Sequence, residues 1–161
     1  MQTLLLTAAF DDRFGIGKIA SRIGLEAPAL LFEPATDLCG LIQEKLNENH
    51  IDCILVDEAQ FLTKDQVWQL SDVADKLGVP VLCYGIRTDF QGALFEGSKW
   101  LLAWADKLSE LKTICHCGRK ANFVIRRDSE GNAVTNGRQV EVGGNERYEP
   151  LCRAHFKSLV W

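Results

Sequence analysis

The stretch CILVDEAQF, residues 53–61, narrows the possible architectures more than any other part of the chain. Ile54, Leu55 and Val56 form an unbroken apolar run. Such runs belong to strands covered on both faces, as in parallel sheets, whereas half-solvated strands alternate. TLLLT at residues 3–7 and VLCYGI at residues 81–86 have the same character. Helical stripes lie between them. Residues 37–47 place Leu38, Leu41, Ile42 and Leu46 on one face. Thr63-Lys64-Asp65-Gln66 reads as a capping box, and Val67, Leu70, Val73, Ala74 and Leu77 continue it as a buried stripe. Gly78 and Pro80 end that helix. Residues 94–108, rich in Trp and Leu, read as a third helix, and residues 111–115 as one more strand. Strand–helix alternation of this kind predicts an α/β fold with a parallel sheet.

The pattern changes at Cys115. The remaining segment has short alternating stretches, Gly and Asn turn signals and no helical stripe, so it reads as a small β appendage with a long loop. The expected division is therefore an α/β domain over residues 1–114 and a second domain over residues 115–161. A net charge of −4 argues against nucleic acid as the main partner. No apolar run approaches the roughly 20 residues of a membrane span, and MQTLLLTAAFDD lacks the basic start and long apolar core of a signal peptide. A cytoplasmic protein is expected.

Two constellations carry chemistry. Cys115, Cys117, Cys152 and His155 form two close pairs that bracket the appendage, a donor set suited to tetrahedral, structural Zn²⁺. The remaining cysteines, Cys39, Cys53 and Cys83, stand singly in apolar stretches and read as small hydrophobes. Asp57 and Glu58 close the apolar run at the end of its strand, where open α/β sheets bind ligands. In a phosphoryl-transfer site an Asp there holds Mg²⁺ and a neighbouring acid handles a proton. An exposed acidic turn is the bland alternative. Gly15-Ile16-Gly17-Lys18 lacks the spacing and the Ser or Thr of a phosphate loop.

ILVDEAQF, VLCYGIRTDFQGALFEGS, LKTICHCGRKA and VEVGGNERYEPLCRAHF together resemble the bacterial cytosolic thymidine kinases of the zinc-containing type, from about Thr3 to His155. The resemblance implies a P-loop NTPase-like parallel sheet with a zinc-bound β domain and a lasso loop. It also implies transfer of the ATP γ-phosphate to the 5′-hydroxyl of thymidine, giving dTMP. Glu58 would be the general base, with Asp57 on Mg²⁺ and Ala59 and Gln60 completing the nucleotide-binding turn. Arg13 would lie near the phosphates. Phe61 and Phe90 would flank the thymine or the sugar, and Val140, Glu141, Val142, Gly143 and Tyr148 would form the lasso. A homotetramer and feedback by dTTP follow from the same resemblance. The family also implies a strand and a G-K-[ST] loop ahead of Met1, and these 161 residues contain neither. The first strand and phosphate loop are thus expected to be missing, a loss that removes a central strand, exposes two hydrophobic edges and leaves no catalysis by the chain as written. A non-catalytic nucleoside-binding zinc module is the alternative.

Overall fold

The computed structural model describes residues 1–9, 17–20, 23–140 and 147–161. It divides into two compact units, the first made of Met1–Ile86 and Glu96–Ala105, the second of Arg87–Phe95 and Asp106–Trp161.

The first unit begins with strand β1 (Thr3–Ala8), followed by β2 (Lys18–Ala20) and β3 (Glu26–Pro28), which pair antiparallel. Strand β4 (Leu30–Phe32), helix α1 (Leu38–Glu48), strand β5 (Cys53–Val56), helix α2 (Lys64–Leu77), strand β6 (Val81–Cys83) and helix α3 (Glu96–Trp104) follow. The four apolar strands β4, β1, β5 and β6 lie side by side in that order, every pairing parallel. Parallel strands need long crossovers: α2 joins the neighbours β5 and β6, and α1 carries the chain from β4 past β1 to β5. Leu6, Ile54 and Val56 of the sheet join Leu38 and Ile42 of α1 and Val67, Leu70 and Val73 of α2 in one buried cluster. Strand β6 forms one edge, where Leu82 is 41% exposed, and Tyr84 and Ile86 just beyond it are 40 and 49% exposed.

The ends of the helices follow their local chemistry. Asp37 caps α1 by accepting the Gly40 N–H. Thr63 and Gln66 form the expected capping box on α2, and Gly78 ends it in the left-handed conformation. Gln66 is only 1% exposed and does more than cap. Its Nε2 donates to the Glu33 carbonyl at 2.7 Å and the Thr36 carbonyl at 3.1 Å, tying the loop after β4 to α2. Cys53 is buried, and Cys39 and Cys83 pack against the cluster of the first unit. Burial pushes the Cys83 thiol up to about 12, in keeping with a small hydrophobe. Two boundaries contract relative to the sequence reading: the strand at 81–86 is regular only over Val81–Cys83, and the helix at 94–108 only over Glu96–Trp104.

The second unit holds β7 (Thr113–Ile114), β8 (Lys120–Ala121), β9 (Phe123–Arg126), β10 (Tyr148–Leu151) and helix α4 (Arg153–Val160). The strand expected at 111–115 is only Thr113–Ile114. It pairs antiparallel with β8 in a separate two-stranded ribbon instead of extending the parallel sheet. Strands β9 and β10 pair antiparallel, joined across the ladder by the Arg127–Glu149 ion pair. Helix α4 corrects the reading that this segment lacks a helix. Its apolar face is short, Phe156 and Val160 one turn apart, too little to register as a stripe. Phe156 stacks on Phe123 at 4.6 Å and joins Cys115, Ile125, Leu151 and Cys152 in a second core. No helix among the described residues is long and apolar enough to cross a membrane.

Replacing Gln66 with Ala removes a cap and strands two carbonyls. The expected loss is about 2–4 kcal/mol, read as a lower urea midpoint with unchanged slope.

Candidate functional site

Strand β5 delivers Asp57 and Glu58 to the carboxyl end of the sheet. The Asp57 N–H continues the ladder to the Leu6 carbonyl at 2.8 Å, and the Tyr84 N–H does so to the Val56 carbonyl at 2.8 Å. The chain then turns sharply. Glu58 has φ 52° and ψ 37°, and no other non-glycine residue among those described has a positive φ. A left-handed backbone at a residue with a Cβ costs roughly 1–2 kcal/mol and persists only where its surroundings enforce it.

Those surroundings are specific. Residues Ala59–Phe61 form a single 3₁₀ turn after Glu58, and the Ala59 N–H reaches the Tyr84 carbonyl at 2.8 Å. Gln60 is 3% exposed; its Nε2 donates to the Glu58 carboxylate while its Oε1 accepts the Ile86 N–H at 3.3 Å. Two glycines let neighbouring backbone close in. A Cβ on Gly85 would sit 2.4 Å from Gln60 Oε1, and one on Gly97 would sit 2.4 Å from the Ala59 carbonyl and 2.9 Å from those of Gln60 and Leu62. Ser98 then donates to the Ile86 carbonyl at 2.6 Å, pinning the start of α3. Neither glycine was singled out from the sequence; the signal lay in Y-G-I and F-E-G-S, both inside stretches already quoted. Ala59 and Gln60 are thus buried in the floor of the turn. Phe61 lines a cleft of about 310 Å³ with Ala8, Ala9, Phe32, Glu33 and Pro34, at the carboxyl ends of β1 and β4.

In the second unit the Thr-Asp-Phe motif forms a tight turn. Asp89 is 3% exposed, and its Oδ1 accepts the N–H groups of Gln91 and Ala93, each at 2.9 Å. Phe90 is 1% exposed with the Arg126 guanidinium 4.0 Å from its ring centre. Val140 is 36% exposed, and Tyr148 opens β10 beside Arg126. Arg13, Glu141, Val142 and Gly143 lie outside the described residues.

The four predicted metal ligands meet. Sγ of Cys115, Cys117 and Cys152 and a ring nitrogen of His155 all lie within 4.8 Å of one another, so the cluster can hold a metal ion. Cys115 and Cys117 come from the turn between β7 and β8; Cys152 caps α4 and His155 lies in its first turn. Burial raises the Cys115 thiol, but the Cys117 N–H and the His155 ring outweigh it and bring it down to about 6. For Cys117 the Arg119 N–H lowers the thiol, yet burial and the sulfurs of Cys115 and Cys152 push it up on balance. Sulfurs this close cannot all ionise comfortably without a cation among them. His116 stands aside from the ligand set, stacked on His155 at 4.3 Å and 3.4 Å from the Glu149 carboxylate.

Two outcomes follow from this geometry. Gly97→Ala should cost about 1–3 kcal/mol by driving a methyl into backbone carbonyls, seen as a lower melting temperature. Cys152→Ser should release the metal, measured by metal analysis of the purified protein; full occupancy would contradict the ligand set.

Comparison with known proteins agrees with the arrangement. A sequence profile described as thymidine kinase matches residues 1–156. The thymidine kinase of Colwellia psychrerythraea is 65% identical over 159 residues, covering 99% of this chain and 83% of the relative. That of Vibrio cholerae is 62% identical over 160 residues, 99% of this chain and 83% of the relative. That of Shewanella oneidensis is 59% identical over 161 residues, 100% of this chain and 84% of the relative. An acid pair on a strained turn after a parallel strand, a Cys₃His cluster and near-complete coverage by one profile converge, and the chain belongs to the thymidine kinase family.

Proposed function

We propose that the chain works as the zinc-bearing part of a cytoplasmic enzyme that transfers the γ-phosphate of ATP to the 5′-hydroxyl of thymidine, with Glu58 as general base. The observation that carries this reading is the Glu58 turn. Strain at a single non-glycine residue, enforced by buried Gln60 and two close-packed glycines, marks a side chain held in place for chemistry. In the transfer the 5′-oxygen attacks the γ-phosphorus, the bond to the ADP oxygen breaks, and the hydroxyl proton passes to the Glu58 carboxylate. Gln60 orients that carboxylate through its Nε2, and Ala59 anchors the turn to Tyr84. Asp57, leaving the same strand, would hold Mg²⁺, whose charge offsets that of the phosphates. Arg13 is assigned to the phosphates.

The nucleoside is assigned to Phe61, which lines the cleft beside β1 and β4, and to Phe90, Val140, Glu141, Val142, Gly143 and Tyr148. Zn²⁺ suits the Cys115, Cys117, Cys152 and His155 cluster. Bond lengths of about 2.3 Å to sulfur and 2.0 Å to nitrogen place tetrahedral ligand atoms roughly 3.5–3.8 Å apart. Three of the six separations are 3.3 Å for Cys115–His155, 3.7 Å for Cys152–His155 and 3.9 Å for Cys117–Cys152, and all six are within 4.8 Å. Four protein ligands leave no open position, so the ion is structural. Homotetramer assembly and inhibition by dTTP belong to the same proposal, supported by family membership.

The test compares the parent protein with one variant. Glu58→Gln should lower kcat by about 10²–10⁴-fold and leave thymidine affinity within a few-fold. Unchanged kcat removes Glu58 from the role of base. Thymidine binding without transfer by the parent would favour the non-catalytic nucleoside-binding module.

A further inference from the structure

Residues 135–139 of the second unit are fastened at three points, two on the Thr-Asp-Phe turn and one on Arg126 of β9. Gln91 Nε2 donates to the Thr135 carbonyl at 3.0 Å. Arg126, lying over Phe90, donates from Nη1 to the Arg138 carbonyl at 3.0 Å. Gln139 Nε2 donates to Asp89 Oδ2 at 2.8 Å. The approach is close enough that a Cβ on Gly137 would meet Arg126 Nη2 at 2.7 Å. Asp89 is the hub. One carboxylate oxygen shapes its own turn through the Gln91 and Ala93 N–H groups, and the other receives Gln139 from fifty residues away. Asp89 and Arg126 are each 3% exposed, so residues 138 and 139 are held by buried charged groups, whose hydrogen bonds are the stronger kind.

We propose that Asp89, Arg126 and Gln139 are positioning residues for nucleoside recognition, latching the segment that leads into Val140 onto the turn that carries Phe90. This rests on the nucleoside assignment of Phe90 and Val140 above. Gln139 lies on the protein surface and its side chain meets Asp89 directly, so its loss removes the fastening nearest Val140 while the bonds to Thr135 and Arg138 remain. A residue already held in place binds without the cost of ordering it at the moment of binding, and a released one must meet that cost.

The test is the dissociation constant for thymidine, measured by calorimetry on the zinc-loaded chain and three variants, with melting temperature and zinc content recorded alongside. Gln139→Ala should weaken thymidine binding about ten-fold while melting temperature and zinc content stay at the parent values. Asp89→Asn should bind within about three-fold of the parent, because Asn still accepts at Oδ1 and the Gln139 amide can turn to accept from Nδ2. Phe90→Ala should weaken binding whether or not the latch exists. If Phe90→Ala weakens binding and Gln139→Ala does not, the latch is overturned and the nucleoside assignment stands. If neither matters, or the parent chain does not bind thymidine, the nucleoside assignment falls and takes the latch with it. A loss in Gln139→Ala matched by a fall in melting temperature or zinc content would reduce its role to structural support and also overturn the proposal.

Discussion

A left-handed backbone at Glu58 requires every neighbour to be in place, and most of the first unit can be understood as meeting that requirement. The parallel ladder of β1, β5 and β6 brings the chain to the turn, through Asp57 to Leu6 on one side and Tyr84 to Val56 on the other. Ala59 then borrows the Tyr84 carbonyl, so the turn is an extension of the β5–β6 pairing rather than a free loop. Gln60, fully enclosed, joins the acid side chain to the backbone of Ile86. The glycines at 85 and 97 are needed because any side chain there would occupy the space of this turn's own backbone or of Gln60. A cost of roughly 1–2 kcal/mol at one residue is small beside what that enclosure provides.

The second unit solves a different problem. Its core is small, five buried residues with a few partly buried neighbours, and its strands are two to four residues long. Two short ribbons of this size need a further constraint. The ligand cluster sits inside that core, since Cys115 and Cys152 are members of both. A metal ion held there would close the chain between Cys117 and Cys152, thirty-five positions apart, and remove much of the unfolded chain's freedom. The aromatic stack of Phe123 on Phe156 and the Arg127–Glu149 pair brace the same strands from either side.

Much of this was legible in the sequence because it depends on local rules. Unbroken apolar runs identified β1, β5 and β6, and the Thr63–Gln66 spacing identified a capping box that is present atom for atom. The four metal ligands were legible because close spacing within each pair makes a turn sufficient to bring two donors together. What escaped depends on contacts between distant residues. Nothing local distinguishes Gly97 from any helix-start glycine, or tells that Gln66 would reach the carbonyls of Glu33 and Thr36. Asp89 stood in a quoted motif, yet its partner Gln139 is fifty residues on. Residues 111–115 looked like another sheet strand because an apolar run does not specify its partner; Thr113–Ile114 pairs with β8. Helix α4 was missed because one turn of apolar spacing is too short a signal.

The most direct test of the central claim is ATP-dependent dTMP formation, measured for the parent protein and for Glu58→Gln under the same conditions. The account predicts γ-phosphate transfer to thymidine by the parent and a kcat about 10²–10⁴-fold lower in the variant, because the Glu58 turn supplies the base. Equal rates would contradict the assignment of the acid turn to this chemistry.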